Sequence, residues 1–164
     1  MDELRITPGK TVADIGAGSG WFTVLAARRV GAGGKVYAVD INQGYLDYIE
    51  KRSRREGLSA IQPVLGTAND PKLPATAVDA VLMLRAYHEV AEPVALLKQT
   101  RNALKPKGLL GIIDRNGRGN DHGVDQKVVV EEAAKAGFKL VDSFDFVKAG
   151  REDYFLVFQP TPEN

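Results

Sequence analysis

Strand-like and helix-like patterns alternate along nearly the whole chain, and this alternation limits the folds that the sequence can adopt. A short β run at Thr11–Ile15 is followed by an amphipathic helical segment at Trp21–Val30. Val78–Leu84 is apolar almost throughout, as in a strand buried on both faces. Such alternation predicts an α/β domain with a mostly parallel sheet and right-handed crossovers.

The remaining predicted elements complete this order. The predicted strands lie at residues 35–39, 60–65, 109–114, 139–147 and 154–158, and the predicted helices at Gln43–Glu56, 93–104 and 124–136. We expect the last two strands to form an antiparallel hairpin, and Val128, Val129 and Ala133 to face inward from the last helix. Ligands of open parallel sheets bind beyond the carboxyl ends of the strands. Those ends are here Gly16, Asp40, Gly66, Leu84 and Asp114.

The composition excludes several classes of function. The chain has 164 residues, no cysteine and a formal net charge of +1. Disulfides, zinc–thiolate sites and thiol catalysis are therefore excluded, and no overall field attracts nucleic acid. No apolar run approaches the roughly 20 residues that cross a bilayer, and the first ten residues lack a signal-peptide core. We expect a single domain over residues 1–164 in the cytoplasm, without a nucleic-acid partner or a membrane span.

A glycine-rich turn with the sequence GAGSG follows the first predicted strand. In the dinucleotide fingerprint G-x-G-x-x-G, the third glycine lets the helix pack closely on the strand. Gly16 and Gly18 supply the first two glycines, but Trp21 stands at the third position, and Gly20 follows a different spacing. Asp14, just before the turn, would repel a pyrophosphate and attract an ammonium group. These electrostatics favour S-adenosylmethionine, which carries an ammonium and a sulfonium, over NAD.

Asp40 ends the second strand region, where a carboxylate can accept hydrogen bonds from both ribose hydroxyls of an adenosine. The alternative is that Asp40 caps the helix that begins near Gln43, a role for which Asn42 competes. We favour ribose binding, because Asp40 follows the expected strand at the expected distance from the glycine turn.

Five stretches of the sequence resemble the motifs of class I S-adenosylmethionine-dependent methyltransferases. They are VADIGAGSG, VYAVDIN, VLGTANDPKLPATAVDAVLM, ALKPKG and EEAAKAGFKLV. Within that class the chain is most similar to small-molecule methyltransferases related to the enzymes of ubiquinone and menaquinone biosynthesis. The resemblance implies a Rossmann-like three-layer α/β sandwich with a mostly parallel seven-stranded sheet. The implied strand order is 3-2-1-4-5-7-6, with strand seven antiparallel.

The resemblance also implies a cofactor, S-adenosylmethionine, with S-adenosylhomocysteine as its product. The residues implied to bind it are Asp14, Gly16, Ala17, Gly18, Gly20, Leu84 and Arg85 at the methionine, Asp40 at the ribose, and Ile41, Thr67, Ala68 and Asn69 at the adenine. Trp21 is expected to pack beneath this site.

Two departures from the family pattern affect these expectations. Thr67 stands where the family often has an acid that accepts a hydrogen bond from the adenine amino group, and Asn69 or Asp70 is a candidate substitute. Only about ten residues precede the first predicted strand, whereas relatives usually carry helices there that cap the cofactor. We therefore expect a fragment, a minimal form, or a chain that depends on a partner for its lid. The expected protein partners are thus a second copy in a homo-oligomer or a protein that supplies the lid.

His88 and His122 are the two histidines of the chain, and both follow predicted strands on the expected ligand-binding edge. Methyl transfer from a sulfonium is accelerated largely by positioning, and a base is needed only if the acceptor must lose a proton. We predict His88 as that base, against the alternative of a hydrogen-bonded loop residue, and His122 as a solvated loop residue. Tyr87 either stacks on a flat acceptor or fills the core. Nothing fixes the spacing of histidines and carboxylates in these loops, including Glu89 and Asp121, so we expect no metal.

The leading function is methyl transfer to a small or medium-sized acceptor molecule. The second is a non-catalytic adenosylmethionine-binding module that acts through a partner, and the short N-terminus keeps this alternative open. The third, an NAD(P)-dependent oxidoreductase, is disfavoured by Trp21 in the glycine turn.

Overall fold

A computed structural model describes residues 1–118 and 120–162 of the chain. The strands of this part are β1 (Thr11–Ile15), β2 (Lys35–Asp40), β3 (Ile61–Leu65), β4 (Val78–Leu84), β5 (Leu104–Asp114), β6 (Phe138–Phe144) and β7 (Tyr154–Pro160). The α-helices are α1 (Trp21–Val30), α2 (Gln43–Glu56), α3 (Pro93–Ala103) and α4 (Gln126–Lys135). Short 3₁₀ turns lie at Asp2–Leu4, Tyr87–Glu89 and Phe146–Gly150.

The strands form one sheet in the order β3-β2-β1-β4-β5-β7-β6, which confirms the predicted topology. β1 is parallel to both β2 and β4, and β4 is parallel to β5. β7 runs antiparallel to both of its neighbours, β5 and β6. The chain builds outward from β1 to β3 and then returns to place β4 on the other side of β1. The strand order therefore reverses between β1 and β4, and the crevice at their carboxyl ends is where such sheets bind ligands.

Helices cover both faces of the sheet and build an apolar core on each. On one face, α1 buries Phe22 against strand side chains. On the other face, α3 and α4 bury Leu97 and Ala133. Val12 and Ala13 are neighbours in β1 but belong to opposite cores, because successive side chains of a strand point to opposite faces. The two cores hold the strand ends in fixed positions relative to one another.

β5 begins at Leu104, whereas the sequence pattern placed its start at residue 109. Leu104 pairs with Val78 and Leu109 pairs with Ala80, so the segment between them, which contains Pro106, leaves the regular ladder. Proline donates no ladder hydrogen bond, and the sequence pattern therefore indicated a helix stop there rather than a strand start.

The expectations for α4 and β6 are each wrong in one respect. Val129 and Ala133 are fully buried as expected, but Val128 is 41% exposed. Neighbouring residues of a helix point about 100° apart, so Val128 and Val129 cannot both face the sheet. The strand expected over residues 139–147 ends at Phe144, because the 3₁₀ turn at Phe146–Gly150 takes up the chain beyond it.

The segment before β1 packs on the sheet face that α1 also covers. Leu4 and Ile6 are almost completely buried there. A β-carbon at Gly111 of β5 would lie 3.0 Å from Leu4 Cδ1, so the side chain of Leu4 rests directly on the strand. No helix within residues 1–118 and 120–162 is both long and apolar enough to cross a membrane.

Candidate functional site

The glycine turn between β1 and α1 uses backbone angles that favour glycine. The angle φ is +78° at Gly16, +55° at Gly18 and +83° at Gly20. A β-carbon at Gly20 would lie 2.8 Å from Ile49 Cγ1, so α2 packs closely on this glycine. A β-carbon at Gly18 would instead point into open space. The turn therefore leaves room for a ligand beside Gly18.

Asp14 places a buried carboxyl group in β1 just before the turn. The residue is 2% exposed, and its Oδ2 accepts a hydrogen bond of 2.7 Å from Thr23 Oγ1 of α1. Burial raises the pKa of Asp14 from its ordinary value of 3.8 to about 6, although the hydrogen bond from Thr23 opposes this change. The group is therefore mostly ionised at pH 7. A cationic group of a ligand would neutralise this buried negative charge.

Asp40 does not cap α2, and it instead joins the glycine turn to the end of β2. Asn42 is the cap, since its side chain accepts a hydrogen bond of 2.9 Å from Gly44 N. Asp40 Oδ2 accepts from Gly18 N at 2.9 Å, and Asp40 Oδ1 accepts from Asn42 N at 2.9 Å. Each carboxylate oxygen still has a free lone pair, so the contacts with the turn leave Asp40 able to accept further hydrogen bonds.

Two cavities meet at the turn and share Gly16, Gly18 and Arg85 in their walls. The first cavity has a volume of about 710 Å³. The predicted cofactor residues that line it are Asp14, Gly16, Ala17, Gly18, Leu84 and Arg85. The second cavity has a volume of about 340 Å³. The predicted cofactor residues that line it are Gly16, Gly18, Asp40, Ile41, Thr67, Ala68 and Arg85.

Two of the predicted cofactor residues, Gly20 and Asn69, line neither cavity. Gly20 precedes α1 and supports the turn through its contact with Ile49. Asn69 Oδ1 accepts a hydrogen bond of 3.1 Å from Thr67 Oγ1, while Asn69 Nδ2 donates to Glu92 Oε2 at 3.2 Å. Both residues therefore support their neighbours in the cavity walls.

Trp21 and Ile41 are exposed side chains at the two cavities. Trp21 is 64% exposed and lines the first cavity, so the expectation that it packs beneath the site is wrong. It is the first residue of α1, where the indole projects away from the core that Phe22 enters. Ile41 is 68% exposed and lines the second cavity. The family resemblance implies that its side chain covers one face of the adenine.

His88 lies in the 3₁₀ turn after β4 and is held by Asp114, the last residue of β5. Its Nδ1 lies 2.9 Å from Asp114 Oδ1 and 3.0 Å from Oδ2, and its backbone N donates to Oδ2 at 3.1 Å. Because a carboxylate only accepts hydrogen bonds, Nδ1 carries the proton and Nε2 is the nitrogen left free. His88 is not among the described residues that line either cavity. Its role as a base stays a prediction.

The two histidines meet in the folded chain. The ring centroids of His88 and His122 are 6.1 Å apart with the rings edge-on, and Glu89 Oε1 lies 3.6 Å from His88 Nε2. One nitrogen or oxygen atom from each of these residues lies within 4.8 Å of the others. Asp121, the fourth residue considered from the sequence, instead accepts a hydrogen bond from Arg118 N at 2.9 Å. The expected absence of a metal stays a prediction.

Tyr87 fills the core rather than offering a stacking surface. It is 2% exposed, and its hydroxyl donates a hydrogen bond of 2.6 Å to Glu132 Oε2. Burial and this carboxylate raise the pKa of Tyr87 far above its ordinary value. The tyrosine is therefore protonated at neutral pH.

Sequence reasoning missed Glu152, which lines the first cavity beside Arg85. Glu152 is 5% exposed, and its Oε1 forms an ion pair with Arg85 Nε. Arg85 also donates from Nη2 to Gly150 O at 2.9 Å, and its φ of +55° is uncommon for a side chain of this size. The two residues are far apart in the sequence, and no local motif marks the pair.

Comparisons with known proteins found a matching family and several similar proteins. The sequence profile of the family described as "Methyltransferase domain" matches residues 12–108. The demethylmenaquinone methyltransferase of Lactobacillus johnsonii is 27% identical over 154 residues, which are 93% of this chain and 60% of that protein. The crystal structure of an S-adenosylmethionine-dependent methyltransferase from Aquifex aeolicus matches with a TM-score of 0.87 at 25% identity, over 98% of this chain and 87% of that one.

A third similar protein was solved in complex with the Trm112 methyltransferase activator of Haloferax volcanii. It matches with a TM-score of 0.79 over 99% of this chain and 86% of that one, and its identity of 16% shows a likeness in fold alone. The chain spans between 31% and 60% of the length of three curated relatives that it matches.

Proposed function

Because the chain belongs to the class I S-adenosylmethionine-dependent methyltransferase family, we propose that it transfers a methyl group from S-adenosylmethionine to a small or medium-sized acceptor. The observation that supports this function most directly is the pair of cavities that meet at the glycine turn. One cavity is lined by the half-buried Asp40, and the other is lined by the buried Asp14. Asp40 can accept hydrogen bonds from the ribose hydroxyls of an adenosine, and Asp14 can pair with the ammonium of an amino acid.

We place the adenosine of the cofactor in the second cavity. Asp40 accepts hydrogen bonds from the ribose hydroxyls, and Ile41 covers one face of the adenine. Thr67 and Ala68 border the adenine edge, where the hydroxyl of Thr67 accepts a hydrogen bond less strongly than the acid common in the family. The methionine half lies in the first cavity with its ammonium near Asp14, whose burial makes it a strong partner for a cation.

The proposed reaction is an in-line displacement at the methyl carbon. A bond forms between the acceptor atom and this carbon as the carbon–sulfur bond breaks, and the bonding electron pair returns to sulfur. Apolar side chains line the first cavity, and the glycine turn fixes the position of the donor. When the acceptor must lose a proton, His88 Nε2 is the proposed base. This role requires the reactive group of the acceptor to reach the loop beyond β4.

The second candidate function is a cofactor-binding module that acts through a partner. It is favoured by the structural relative that was solved with an activator protein. In this alternative, the partner or a second copy of the chain supplies the lid of the first cavity. The nicotinamide-dependent alternative is disfavoured, because Trp21 occupies the third glycine position of the dinucleotide fingerprint.

Calorimetry with S-adenosylmethionine, S-adenosylhomocysteine and NAD tests the cofactor assignment. We expect the first two to bind and NAD to bind much more weakly, and tighter binding of NAD would overturn the assignment. Incubation with methyl-labelled S-adenosylmethionine and a panel of small hydroxyl, amine and thiol compounds then tests the reaction. Transfer of label supports the enzyme, whereas cofactor binding without any transfer, repeated with candidate partners present, supports the binding module.

A further inference from the structure

The first cavity has a largely apolar wall in which charged groups are few. The apolar side chains that define it include Leu4, Phe22, Leu25, Leu82, Ile113 and Phe155. Within residues 1–118 and 120–162, the charged side chains that line it are Asp14, Arg85 and Glu152. Charged groups in such a pocket fix the orientation of whatever the apolar surface binds. The chemistry of these three side chains therefore restricts the acceptor.

Glu152 keeps one carboxylate oxygen without a hydrogen-bond partner. Its side chain is 6% exposed, and Oε1 is taken by the ion pair with Arg85. Oε2 is buried and accepts no hydrogen bond from any residue that the structure describes. A buried carboxylate oxygen to which no protein group donates is costly. Such a group in a cavity wall is best explained by a ligand that satisfies it.

The two carboxylates of the cavity lie on opposite sides of its floor. Asp14 belongs to β1, whereas Glu152 lies two residues before β7. Two strands, β4 and β5, separate β1 from β7, and their side chains Leu84 and Ile113 line the cavity between them. Asp14 is beside the glycine turn, where the methionine ammonium is placed. Glu152 is therefore too far across the sheet to serve the same ammonium and faces the part of the cavity left for the acceptor.

Arg85 neutralises Glu152 without filling the cavity. Its side chain is 59% exposed, and it is tied to Glu152 Oε1 and to Gly150 O. The guanidinium thus pairs with Oε1 and leaves Oε2 unmatched. A group that donates a hydrogen bond would satisfy Glu152 Oε2, whereas a carboxylate group has no proton to donate to it.

From these observations we propose that Glu152 orients the acceptor, and that the acceptor is a mainly apolar molecule that carries a hydroxyl or amine directed at Glu152 Oε2. This inference rests on the proposed function, since it assigns the acceptor side of the same cavity. An acceptor that presents only a carboxylate at this point has no proton to donate to Oε2, so it should bind more weakly. The expected selectivity is set by hydrogen-bond donation, because the apolar wall binds any ring or cage of suitable size.

A charge series on one apolar cage tests this proposal. The probes are 1-adamantylamine, 1-adamantanol and adamantane-1-carboxylate, measured by calorimetry against the full chain saturated with S-adenosylhomocysteine. We expect the amine and the alcohol to bind about tenfold to a hundredfold more tightly than the carboxylate, as for hydrogen bonds to charged groups. Equal affinity for the three probes in the wild-type chain would overturn the proposal without any variant.

The variant Glu152→Gln removes the charge and keeps the shape of the side chain. We expect it to lose about tenfold or more of the affinity for the amine, to bind the carboxylate no more weakly than the wild type, and to keep its affinity for S-adenosylhomocysteine. The matched control is Glu131→Gln, an exposed glutamate of α4, which should leave the series unchanged.

Two outcomes separate this proposal from the proposed function. If the wild-type chain does not bind S-adenosylhomocysteine, the methyltransferase assignment fails. If it binds S-adenosylhomocysteine and Glu152→Gln weakens that binding tenfold while the probe series stays unchanged, Glu152 serves the cofactor and only the acceptor proposal fails.

Discussion

The substitution Asp14→Asn should make the ligand-free chain more stable at neutral pH. Asp14 is buried, and burial raises its pKa from 3.8 to about 6. The folded chain therefore holds the Asp14 proton more tightly than the unfolded chain does. This contribution to stability is fully present below about pH 4 and is lost as the pH rises to about 6. Above that pH, the folded wild-type chain carries a buried charge that an amide would remove.

The size of the effect follows from the two pKa values. The difference between 3.8 and about 6 corresponds to about 3 kcal/mol, at about 1.4 kcal/mol for each tenfold change in proton affinity. Asparagine has nearly the same shape and can still accept the hydrogen bond from Thr23 Oγ1, so little packing is lost. We therefore expect the variant to exceed the wild type by up to about 3 kcal/mol above pH 6 and to match it near pH 4.

Urea unfolding followed by circular dichroism between pH 4 and pH 8 measures this difference. Asp142→Asn, at an exposed position of β6, is the control and should show no comparable rise. A difference between Asp14→Asn and the wild type that does not change with pH would refute the buried-charge argument. The same variant should bind S-adenosylmethionine at least tenfold more weakly, because it loses the charge that attracts the ammonium. The site thus lowers the stability of the empty chain and favours the bound one.

Three further substitutions probe the site. Asp40→Ala should raise the dissociation constant of S-adenosylhomocysteine about tenfold to a hundredfold in calorimetry, since it removes a charge-assisted acceptor. Asn42→Ala, which removes only the cap of α2, should cost about 1 kcal/mol of stability and leave that constant unchanged; equal losses in both variants would contradict the ribose assignment. Gly18→Val should abolish cofactor binding in a chain that still folds by circular dichroism, because the φ of +55° is strained for valine and its side chain would occupy the open space that the cofactor needs. Normal binding by this variant would place the ligand elsewhere. His88→Ala should lower turnover by about 10²–10⁴-fold with unchanged cofactor affinity, while His122→Ala keeps its turnover; full activity of the first variant would make His88 structural.

Local patterns predicted the order of the elements and most of their bounds. Gln43–Glu56 was predicted as a helix by its periodicity and by Gly57 after its end, and Gly57 does adopt the left-handed angle that ends a helix. The glycines of the turn and Asp40 were also visible in the sequence, because each depends on its place beside one strand. The strand order itself came from the family resemblance, since no local pattern states which strands pair.

Contacts between distant parts of the chain could not be predicted in the same way. The pairing of Arg85 with Glu152 and of His88 with Asp114 depends on how the ends of β4, β5 and β7 meet in space. A carboxylate in a loop looks the same in the sequence whether it is solvated or buried. The misplacement of Trp21 has a related cause, because periodicity shows that α1 is amphipathic but does not fix which face its first residue takes.

The exposed indole of Trp21 has a practical consequence for experiments on this chain. Trp21 is the one tryptophan in the sequence, and it stands in the wall of the first cavity with 64% of its surface exposed. Its fluorescence therefore comes from one known position, and the emission spectrum of an indole shifts to shorter wavelength when water leaves it. Filling of the cavity can be followed in real time without an attached dye. Stopped-flow mixing would then order the arrival of the two ligands, a question that equilibrium affinities do not answer.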